Sequence, residues 1–265
     1  MKIFALLRDQ FQKDGGSYLA YLNRIGDFPN FELLTPECLL SKKKKAPLKI
    51  LDLACGPGNA GDYLARKLSG RFSIEKVIYV DINADRLKTI PNSLIPREIV
   101  KSDLFDFLDK TGERYEVVVL RYAIYYFPLA EQSRLLEAVA SAMPKGGCCV
   151  VSSFGLNDGE TGFLTELSAK AMGLKSIHYD GCYVPPKDLK GRMKARGFLK
   201  FELSKGVTVW DIESFSKKFD LNKNQYGELK SWAASRCEEM GFSFKEENNN
   251  LYFEVPVYVL KGIKA

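Results

Sequence analysis

Histidine is nearly absent from this sequence of 265 residues, in which His178 is the single example, and the six cysteines are scattered. No cysteine or histidine spacing suggests a zinc site, so we expect no bound metal. Scattered cysteines are best explained as reduced thiols, which favours a cytoplasmic protein. No apolar run reaches the ~18 residues that span a bilayer, and the first residues lack the apolar segment of a signal peptide. We therefore expect no association with a membrane.

A strong excess of charge is also missing, because 39 basic and 33 acidic residues give a net charge of +6. This mild excess permits an anionic partner but does not require a nucleic acid. The densest basic run, residues 42–45, is interpreted as a solvated linker, with an anion or RNA contact as the alternative. We see no internal repeat and no low-complexity segment. The hydrophobic content of 46% supplies a core for one domain with insertions.

The most informative stretch is a predicted strand, glycine loop and helix. Residues 48–53 form a short apolar run that is typical of a buried parallel strand. Residues 56–58, with the sequence Gly-Pro-Gly, interrupt that run. Ala60, Leu64 and Leu68 then repeat every four residues, which predicts one apolar stripe on a helix. Such a loop directs backbone N–H groups and a helix N-terminus toward a ligand.

The glycine loop is compatible with two cofactors. Gly56, Gly58 and Gly61 match the dinucleotide pattern G-x-G-x-x-G, and Asp81 follows 20 residues after Gly61. Asp52, four residues before the first glycine, would repel a pyrophosphate by ~3 kcal/mol at ~5 Å and an effective dielectric constant of ~20. S-adenosylmethionine instead carries an ammonium and a sulfonium, which an acid attracts. Asp52 therefore favours S-adenosylmethionine over a nicotinamide dinucleotide.

Residues 51–58, LDLACGPG, resemble the first motif of class I S-adenosylmethionine-dependent methyltransferases, particularly the small-molecule group that is similar to ubiquinone and menaquinone methyltransferases. The resemblance covers residues 48–205 and 251–263. It implies an α/β, doubly wound, Rossmann-like sheet of seven strands in the order 3-2-1-4-5-7-6, with strand 7 antiparallel. The sequence pattern alone predicts only an alternating α/β core. The resemblance also implies S-adenosyl-L-methionine as cofactor and S-adenosyl-L-homocysteine as product.

The same resemblance assigns the cofactor-binding residues. It implies that Asp81 accepts hydrogen bonds from both ribose hydroxyls and that Ile82 lies against the adenine. It implies further that Asp103 accepts from the adenine amino group and that the Leu104 N–H donates to the ring. A plain N-cap role is the alternative for Asp103, and Asp106 competes for its assignment. The full predicted set is Asp52, Ala54, Gly56, Gly58, Asp81, Ile82, Asp103, Leu104 and Arg121.

The end of the fourth predicted strand, residues 115–120, carries the remaining site predictions. In the resembled family, backbone at this position holds the methionine amine, so Arg121 is unusual beside a cationic cofactor. Its side chain is predicted either to face an anionic substrate or to make an ordinary surface contact. No catalytic residue is identified. If the acceptor is a phenol or hydroxyl, Tyr126 and His178 are the candidate bases, although His178 is also explained as an ordinary loop residue.

The predicted domain organisation has three parts. Residues 1–46 are expected to form an N-terminal helical cap and residues 47–265 the methyltransferase domain. Residues 206–249 are interpreted as a helical insertion, which is either a lid over the substrate or a decoration with its own core. Pro256 lies within the last predicted strand, where it indicates a bulge or a later strand start.

Two absences restrict the methyl acceptor. Residues 115–130 contain no cysteine, which argues against methylation of C5 of a pyrimidine, and they lack the Asn/Asp-Pro-Pro run that accompanies methylation of base amines. We expect methyl transfer to an O or N atom of a small molecule, and a nucleic acid partner is disfavoured. The alternatives are an RNA or protein methyltransferase, a dehydrogenase, or a non-catalytic protein that binds S-adenosylmethionine. The sequence does not predict the oligomeric state.

Overall fold

A computed structural model describes residues 28–36, 47–171 and 183–265. The predicted helical cap falls outside these residues, apart from the 3-10 helix Phe28–Leu34 and the two residues after it, and so do the basic run 42–45 and His178. The described strands are β1 (Leu48–Leu53), β2 (Ile74–Asp81), β3 (Arg97–Lys101), β4 (Val117–Arg121), β5 (Cys148–Phe154), β6 (Phe198–Asp211), β7 (Phe244–Glu247) and β8 (Asn250–Lys264). The described helices are α1 (Asn59–Ser69), α2 (Ala84–Leu87), α3 (Leu104–Lys110), α4 (Leu129–Ser141), α5 (Asp158–Ala171), α6 (Pro186–Lys194), α7 (Ile212–Lys218) and α8 (Lys223–Met240), with a short 3-10 helix at Ile124–Tyr126.

The strands form one sheet in the order β3-β2-β1-β4-β5-β8-β6, and β7 pairs with β8. Strands β1 to β5 pair in parallel, whereas β8 is antiparallel to both β5 and β6. The predicted fold and strand order are therefore confirmed, with β8 in the place of the predicted seventh strand. The direction of the strand order reverses between β1 and β4, and ligands of such sheets bind at this point.

Buried apolar residues cover both faces of the sheet. One cluster lies under α3, α4 and α6, and a second lies under α1 and the 3-10 helix that begins the described chain. Cys148 and Cys149 belong to opposite clusters, because neighbouring strand residues point to opposite faces. Within the described residues, no helix is long and apolar enough to cross a membrane.

The segment predicted as a helical insertion begins inside a strand, because β6 continues to Asp211. Helices α7 and α8 then follow, and β7 returns the chain to β8. Asn248 and Asn249 form the two-residue turn between β7 and β8, with φ angles of 50° and 60° that suit a type I′ hairpin. All four residues of β7 are exposed, so its sequence carries no burial pattern that could have predicted an eighth strand.

Pro256 lies within β8, which begins at Asn250, and no register shift occurs there. Both expectations, a bulge and a later strand start, are therefore wrong. The N–H of Gly155 donates to the Pro256 carbonyl over 2.8 Å, so Pro256 directs its backbone toward β5 rather than toward β6. Since β5 ends at Phe154, the missing N–H of the proline interrupts neither ladder.

A buried lysine attaches the 3-10 helix Phe28–Leu34 to the sheet. Lys261 on β8 is 2% exposed, and its ammonium donates to the Thr35 carbonyl over 2.7 Å and pairs with Glu202 on β6. Asn30 also donates to the Val207 carbonyl over 3.1 Å. These contacts hold the segment across the sheet face, from which Phe31 reaches the carboxyl end of β4.

Candidate functional site

An open cavity, which encloses about 950 Å³ when the solvent at its mouth is included, lies at the carboxyl ends of β1, β2 and β4. It is lined by Asp52, Ala54, Cys55, Gly56, Pro57, Asn59, Ala60, Asp81, Ile82, Arg86, Ser102, Asp103, Leu104, Arg121, Tyr122, Ala123, Tyr126 and Phe127. The structure thus brings together every predicted cofactor residue except Gly58, and it adds the candidate Tyr126. His178 lies outside the described residues.

Gly58 is a buried residue of the loop and is not part of the cavity wall. Its φ of 77° is in the left-handed region, and a Cβ there would approach the Tyr79 ring to 2.9 Å. Gly61 is equally constrained, since its Cβ would lie 2.9 Å from the Asp52 Oδ2. Both glycines allow the loop and the first turn of α1 to pack closely against β1 and β2.

Asp52 forms the floor of the cavity and is 1% exposed. The Gly61 N–H donates to its Oδ2 over 2.7 Å. Burial raises the pKa of Asp52 to about 7, and the charge of Asp81 adds to this rise, whereas the Gly61 N–H opposes it. A cation bound nearby would favour the ionised carboxylate, which is the chemistry expected of an acid that faces an ammonium or sulfonium.

Asp81 closes β2 and orders the loop on the opposite side. Its Oδ2 accepts from the Gly56 N–H over 2.8 Å, and its Oδ1 accepts from the Asn83 N–H over 2.8 Å. Each carboxylate oxygen has a further lone pair, so the side chain can also accept from a ligand. This arrangement fits a diol, and Ile82 follows directly on the cavity wall.

Asp103 combines its two predicted roles. It is the N-cap of α3, where its Oδ1 accepts from the Phe105 N–H over 2.9 Å, and it also lines the cavity beside Leu104. The N-cap alternative is therefore observed, and the cofactor role stays a prediction. Asp106 is exposed on α3 and is not part of the cavity wall.

Two residues at the ends of neighbouring strands have a strained backbone. Ala54 after β1 and Tyr122 after β4 both have a φ of 52°, which non-glycine residues rarely adopt. Both line the cavity. Strain of this kind is concentrated at functional sites, where surrounding packing maintains it. It therefore supports this cavity as the functional site.

The Arg121 side chain is half-buried and lies in the cavity wall. Its guanidinium carbon lies 4.4 Å from the centre of the Phe31 ring and 4.5 Å from that of Tyr122. The Tyr122 ring in turn stacks on Phe154 at 4.3 Å. Arg121 is thus held against two aromatic rings in the cavity wall.

Aromatic residues form the end of the cavity beyond β4. Tyr126 and Phe127 lie on its wall, and the hydroxyl groups of Tyr125 and Tyr126 are 3.1 Å apart. Tyr125 stacks on Tyr183 with ring centres 4.7 Å apart. This end can hold an apolar or aromatic molecule and can offer it a hydroxyl group.

Several residues of the cavity wall carry no assignment from the sequence. These are Cys55, Pro57, Asn59, Ala60, Arg86, Ser102, Tyr122, Ala123 and Phe127. Most are direct neighbours of predicted residues, so the strand-end pattern itself could have found them. Arg86 on α2 is the exception, because a charged residue in a short helix predicts exposure, yet it is 6% exposed.

The described residues contain no group of three or more histidine, cysteine, aspartate or glutamate side chains that could hold a metal ion. The donor set instead fits S-adenosylmethionine. Three carboxylates, Asp52, Asp81 and Asp103, are spread along one cavity, and the glycine loop brings its backbone close to the ligand space.

Comparison with known proteins agrees with this geometry. A family model described as a methyltransferase domain matches residues 30–202. A candidate methyltransferase of Bacillus halodurans C-125 is 18% identical with a TM-score of 0.63 over 86% of this chain and 97% of its own. Magnesium protoporphyrin IX methyltransferase from Synechocystis PCC 6803, with bound S-adenosylhomocysteine, is 12% identical with a TM-score of 0.57 over 99% of each chain. The plantazolicin methyltransferase, also with S-adenosylhomocysteine, is 14% identical with a TM-score of 0.53 over 94% of this chain and 89% of its own.

No curated protein matches the sequence. The similarity to solved structures establishes the fold, and the family model decides between the two interpretations of the glycine loop. The narrower resemblance to ubiquinone and menaquinone methyltransferases stays a prediction. The chain belongs to the class I S-adenosylmethionine-dependent methyltransferases, enzymes whose methyl donor is S-adenosylmethionine.

Proposed function

We propose that this methyltransferase transfers the methyl group to an O or N atom of a small-molecule acceptor. One observation carries the proposal: the cavity that holds the acidic residues is also lined by the aromatic rings of Tyr122, Tyr126 and Phe127. A small acceptor could lie against these rings while its reactive atom faces the methyl group. Pockets for small molecules typically combine such apolar walls with a few polar groups.

In this proposal, each acidic residue binds a different part of the cofactor. Asp81 binds the ribose hydroxyls, Asp103 binds the adenine amino group, and Asp52 faces the positive charges of the methionine part. Backbone groups of Ala54 and Gly56 complete the loop side. The bound cofactor supplies an electrophilic methyl group on a sulfonium, which is a good leaving group.

The protein has to align the acceptor and exclude water. Positioning of two reactants in one site contributes several kcal/mol to rate acceleration. The buried rings of Tyr122 and Phe127 exclude water from the aromatic end, and the hydrogen-bonded pair Tyr125 and Tyr126 can orient an acceptor hydroxyl. A carboxylate acceptor needs no base. For a phenol or hydroxyl, Tyr126 and His178 remain candidate bases.

Covalent chemistry through a cysteine is disfavoured. Among the described residues, Cys55 is the cysteine on the cavity wall. Burial raises its pKa well above the usual value, and the charges of Asp52 and Asp81 raise it further. A thiolate is the nucleophilic form of cysteine, and this environment suppresses it.

The proposed role of the insertion follows from its packing. Helices α7 and α8 share one apolar cluster with Tyr122 and Tyr125, and this cluster also contains Trp210 and Phe215. We propose that the helices after β6 support the aromatic end of the cavity. The N-terminal cap at residues 1–46 and the methyltransferase domain at 47–265 are kept as proposals.

A radiolabel experiment tests the acceptor class. The purified protein is incubated with methyl-tritiated S-adenosylmethionine and a cell extract divided into small-molecule, RNA and protein fractions. We expect label in the small-molecule fraction, and Asp81→Ala should abolish most of it. Label that enters RNA, is sensitive to ribonuclease and falls steeply with salt would contradict the proposal in favour of an RNA methyltransferase. Tight cofactor binding without any transfer would indicate a non-catalytic binding protein.

A further inference from the structure

A second cleft, which we call the basic cleft, lies at the end of the sheet opposite the cofactor cavity. The polar side chains of its wall belong to Arg114, Glu137, Ser141, Arg196 and Lys264. Arg114 precedes β4, and Lys264 ends β8 beside the start of β5. The cleft encloses about 1080 Å³ when the solvent at its mouth is included. It therefore lies at the amino ends of the parallel strands, whereas the cofactor cavity lies at their carboxyl ends.

The wall of the basic cleft is positively charged. It carries three cations, Arg114, Arg196 and Lys264, and one acid, Glu137, so two positive charges are in excess. Within the described part of the chain, Glu137 forms no ion pair with any of these cations. A concave wall with an excess of one charge concentrates the opposite charge from solution. The cleft therefore attracts an anion.

The Arg114 guanidinium is unpaired. Its side chain is exposed, and it makes no hydrogen bond or ion pair with any residue that the structure describes. Such a guanidinium can bind two oxygens of one phosphate group through parallel N–H donors. Arg114 is therefore the cation of this wall that is most accessible to a ligand.

Backbone carbonyls position the other two cations. Arg196 donates from Nε to the Ser133 carbonyl over 2.8 Å and from Nη1 to the Arg192 carbonyl over 3.1 Å. Its Nη2 has no acceptor among the residues that the structure describes. The Lys264 ammonium donates to the Arg196 carbonyl over 3.5 Å. These contacts hold both cations at the cleft and leave N–H donors for a ligand.

The neighbouring helices do not need the charge of Arg114. Helix α4 ends before Ala142, whose carbonyl accepts from the Tyr115 N–H over 3.0 Å. At the end of α6, the Lys194 carbonyl accepts from the Gly197 N–H over 3.1 Å. Backbone N–H groups thus bind carbonyls at both helix ends. The unpaired guanidinium is better explained by a ligand than by capping of a helix.

We propose that the basic cleft binds a small phosphate-bearing anion with at least two negative charges, which Arg114, Arg196 and Lys264 hold. This site is additional to the proposed methyl transfer and does not depend on it. The cations lie on the wall of one concave cleft, which fits a small anion better than the extended backbone of a nucleic acid. The N–H donors of two guanidinium groups match the several oxygens of a phosphate.

Calorimetric titration of the complete protein with tripolyphosphate tests the proposal. In a buffer of low ionic strength we expect a Kd below about 1 mM. The affinity should decrease as salt is added, because salt screens exposed charges. Saturation of the protein with S-adenosylhomocysteine should leave this Kd unchanged, since the two ligands would bind at opposite ends of the sheet.

Two variants should change the affinity in opposite directions. Arg114→Gln removes one cation and should weaken the binding of tripolyphosphate by about five-fold or more. Glu137→Gln removes the acid of the wall and should strengthen binding by about three-fold. Both side chains are exposed and make no polar contact within the described chain. Both variants should therefore melt at the same temperature as the wild type.

Arg71→Gln is the matched control. Arg71 follows α1 and, like Arg114, is an exposed arginine whose side chain makes no polar contact with the described residues, but it is not part of the cleft wall. This variant should bind tripolyphosphate within about two-fold of the wild type. Equal weakening in Arg71→Gln and Arg114→Gln would show that only the total charge of the protein matters, which contradicts a site at the cleft.

Several other outcomes would overturn the inference. One is the absence of binding up to about 10 mM tripolyphosphate, and another is an unchanged affinity in Arg114→Gln. Displacement of tripolyphosphate by S-adenosylhomocysteine would place the anion in the cofactor cavity. Citrate that binds as tightly as tripolyphosphate would replace the phosphate by carboxylates. A single-stranded RNA that displaces tripolyphosphate and binds more weakly to Arg114→Gln would assign the cleft to a nucleic acid.

Discussion

The N–H of Gly61 donates a 2.7 Å hydrogen bond to the Oδ2 of Asp52, and this bond connects the first turn of α1 to the end of β1. The carboxylate is nearly inaccessible to solvent, so this N–H compensates part of the cost of burying it. The same contact leaves no space for a side chain at position 61. Loop conformation and the charge at the cavity floor are therefore coupled through these two residues.

Gly61→Ala should destabilise the protein and weaken cofactor binding. The added Cβ would lie 2.9 Å from the Asp52 Oδ2 and 2.8 Å from the Tyr79 ring, so the loop has to move. We expect a loss of about 1–3 kcal/mol in the free energy of unfolding. Denaturant titration and calorimetry with S-adenosylhomocysteine measure both effects.

Gly70→Ala at the other end of α1 is the matched control. Apart from its chain neighbours, no atom lies within 4 Å of the position that the alanine Cβ would take, and the φ of −66° suits any residue. We expect the free energy of unfolding to stay unchanged or to rise by up to about 1 kcal/mol. If both variants lost the same free energy of unfolding, the effect at Gly61 would reflect helix composition rather than contact with Asp52.

The raised pKa of Asp52 predicts a stability that falls with pH. Between its ordinary value of 3.8 and about 7, the folded protein holds a proton that the unfolded chain has released. The free energy of unfolding should therefore decrease through this window, by up to about 1.4 kcal/mol per pH unit from this group. Thermal melts of Asp52→Asn should lack this component, whereas Asp106→Asn, an exposed change on α3, should retain it.

Cofactor affinity should show the opposite pH dependence. Since an ammonium favours the ionised carboxylate, S-adenosylhomocysteine should bind more tightly as the pH rises through about 7. Calorimetry in buffers of different ionisation enthalpy should detect proton release on binding. An affinity that is independent of pH in the wild type would show that Asp52 does not face the charged end of the cofactor.

Asp81→Ala should weaken S-adenosylhomocysteine binding by roughly ten-fold or more, because two charge-assisted hydrogen bonds to the ribose are lost. The structure adds a second consequence, since the Gly56 and Asn83 N–H groups lose their acceptor as well. We therefore expect an additional loss of about 1–3 kcal/mol in stability. The control is Asp85→Ala, which changes an exposed acid on α2. This variant should bind S-adenosylhomocysteine as tightly as the wild type.

Lys261→Met should loosen the segment that carries Phe31. The lysine is almost fully buried, and its removal leaves the Thr35 carbonyl and the Glu202 carboxylate without their shared donor. We expect the free energy of unfolding to fall by about 2–3 kcal/mol. The loss is limited because Glu202 retains access to water. Lys205→Met on β6 changes an exposed lysine and should have little effect. Denaturant unfolding measures both variants, and equal stability of the pair would contradict the anchoring role.

The sequence predicts those parts of the structure in which local pattern and burial agree. The sequence correctly predicts the buried strand at residues 48–53. It also predicts that the glycine loop and Asp81 lie in one cavity, because each of them lies at the carboxyl end of a strand. The continuation of β6 escapes prediction because Val207 and Val209 are exposed while Thr208 is buried, the reverse of the usual alternation. The position of Phe31 against Arg121 depends on contacts between residues 90 positions apart, which no local pattern contains.

Strand β8 runs without interruption past Pro256, and this continuity has a mechanical consequence. Residues 257–263 pair with β5, whereas residues 250–253 pair with β7, and β6 follows the strand along nearly its whole length. Movement of the β7–β8 hairpin relative to the catalytic sheet would have to break this shared ladder. The strands from which α7 and α8 extend therefore form one rigid base with the catalytic sheet.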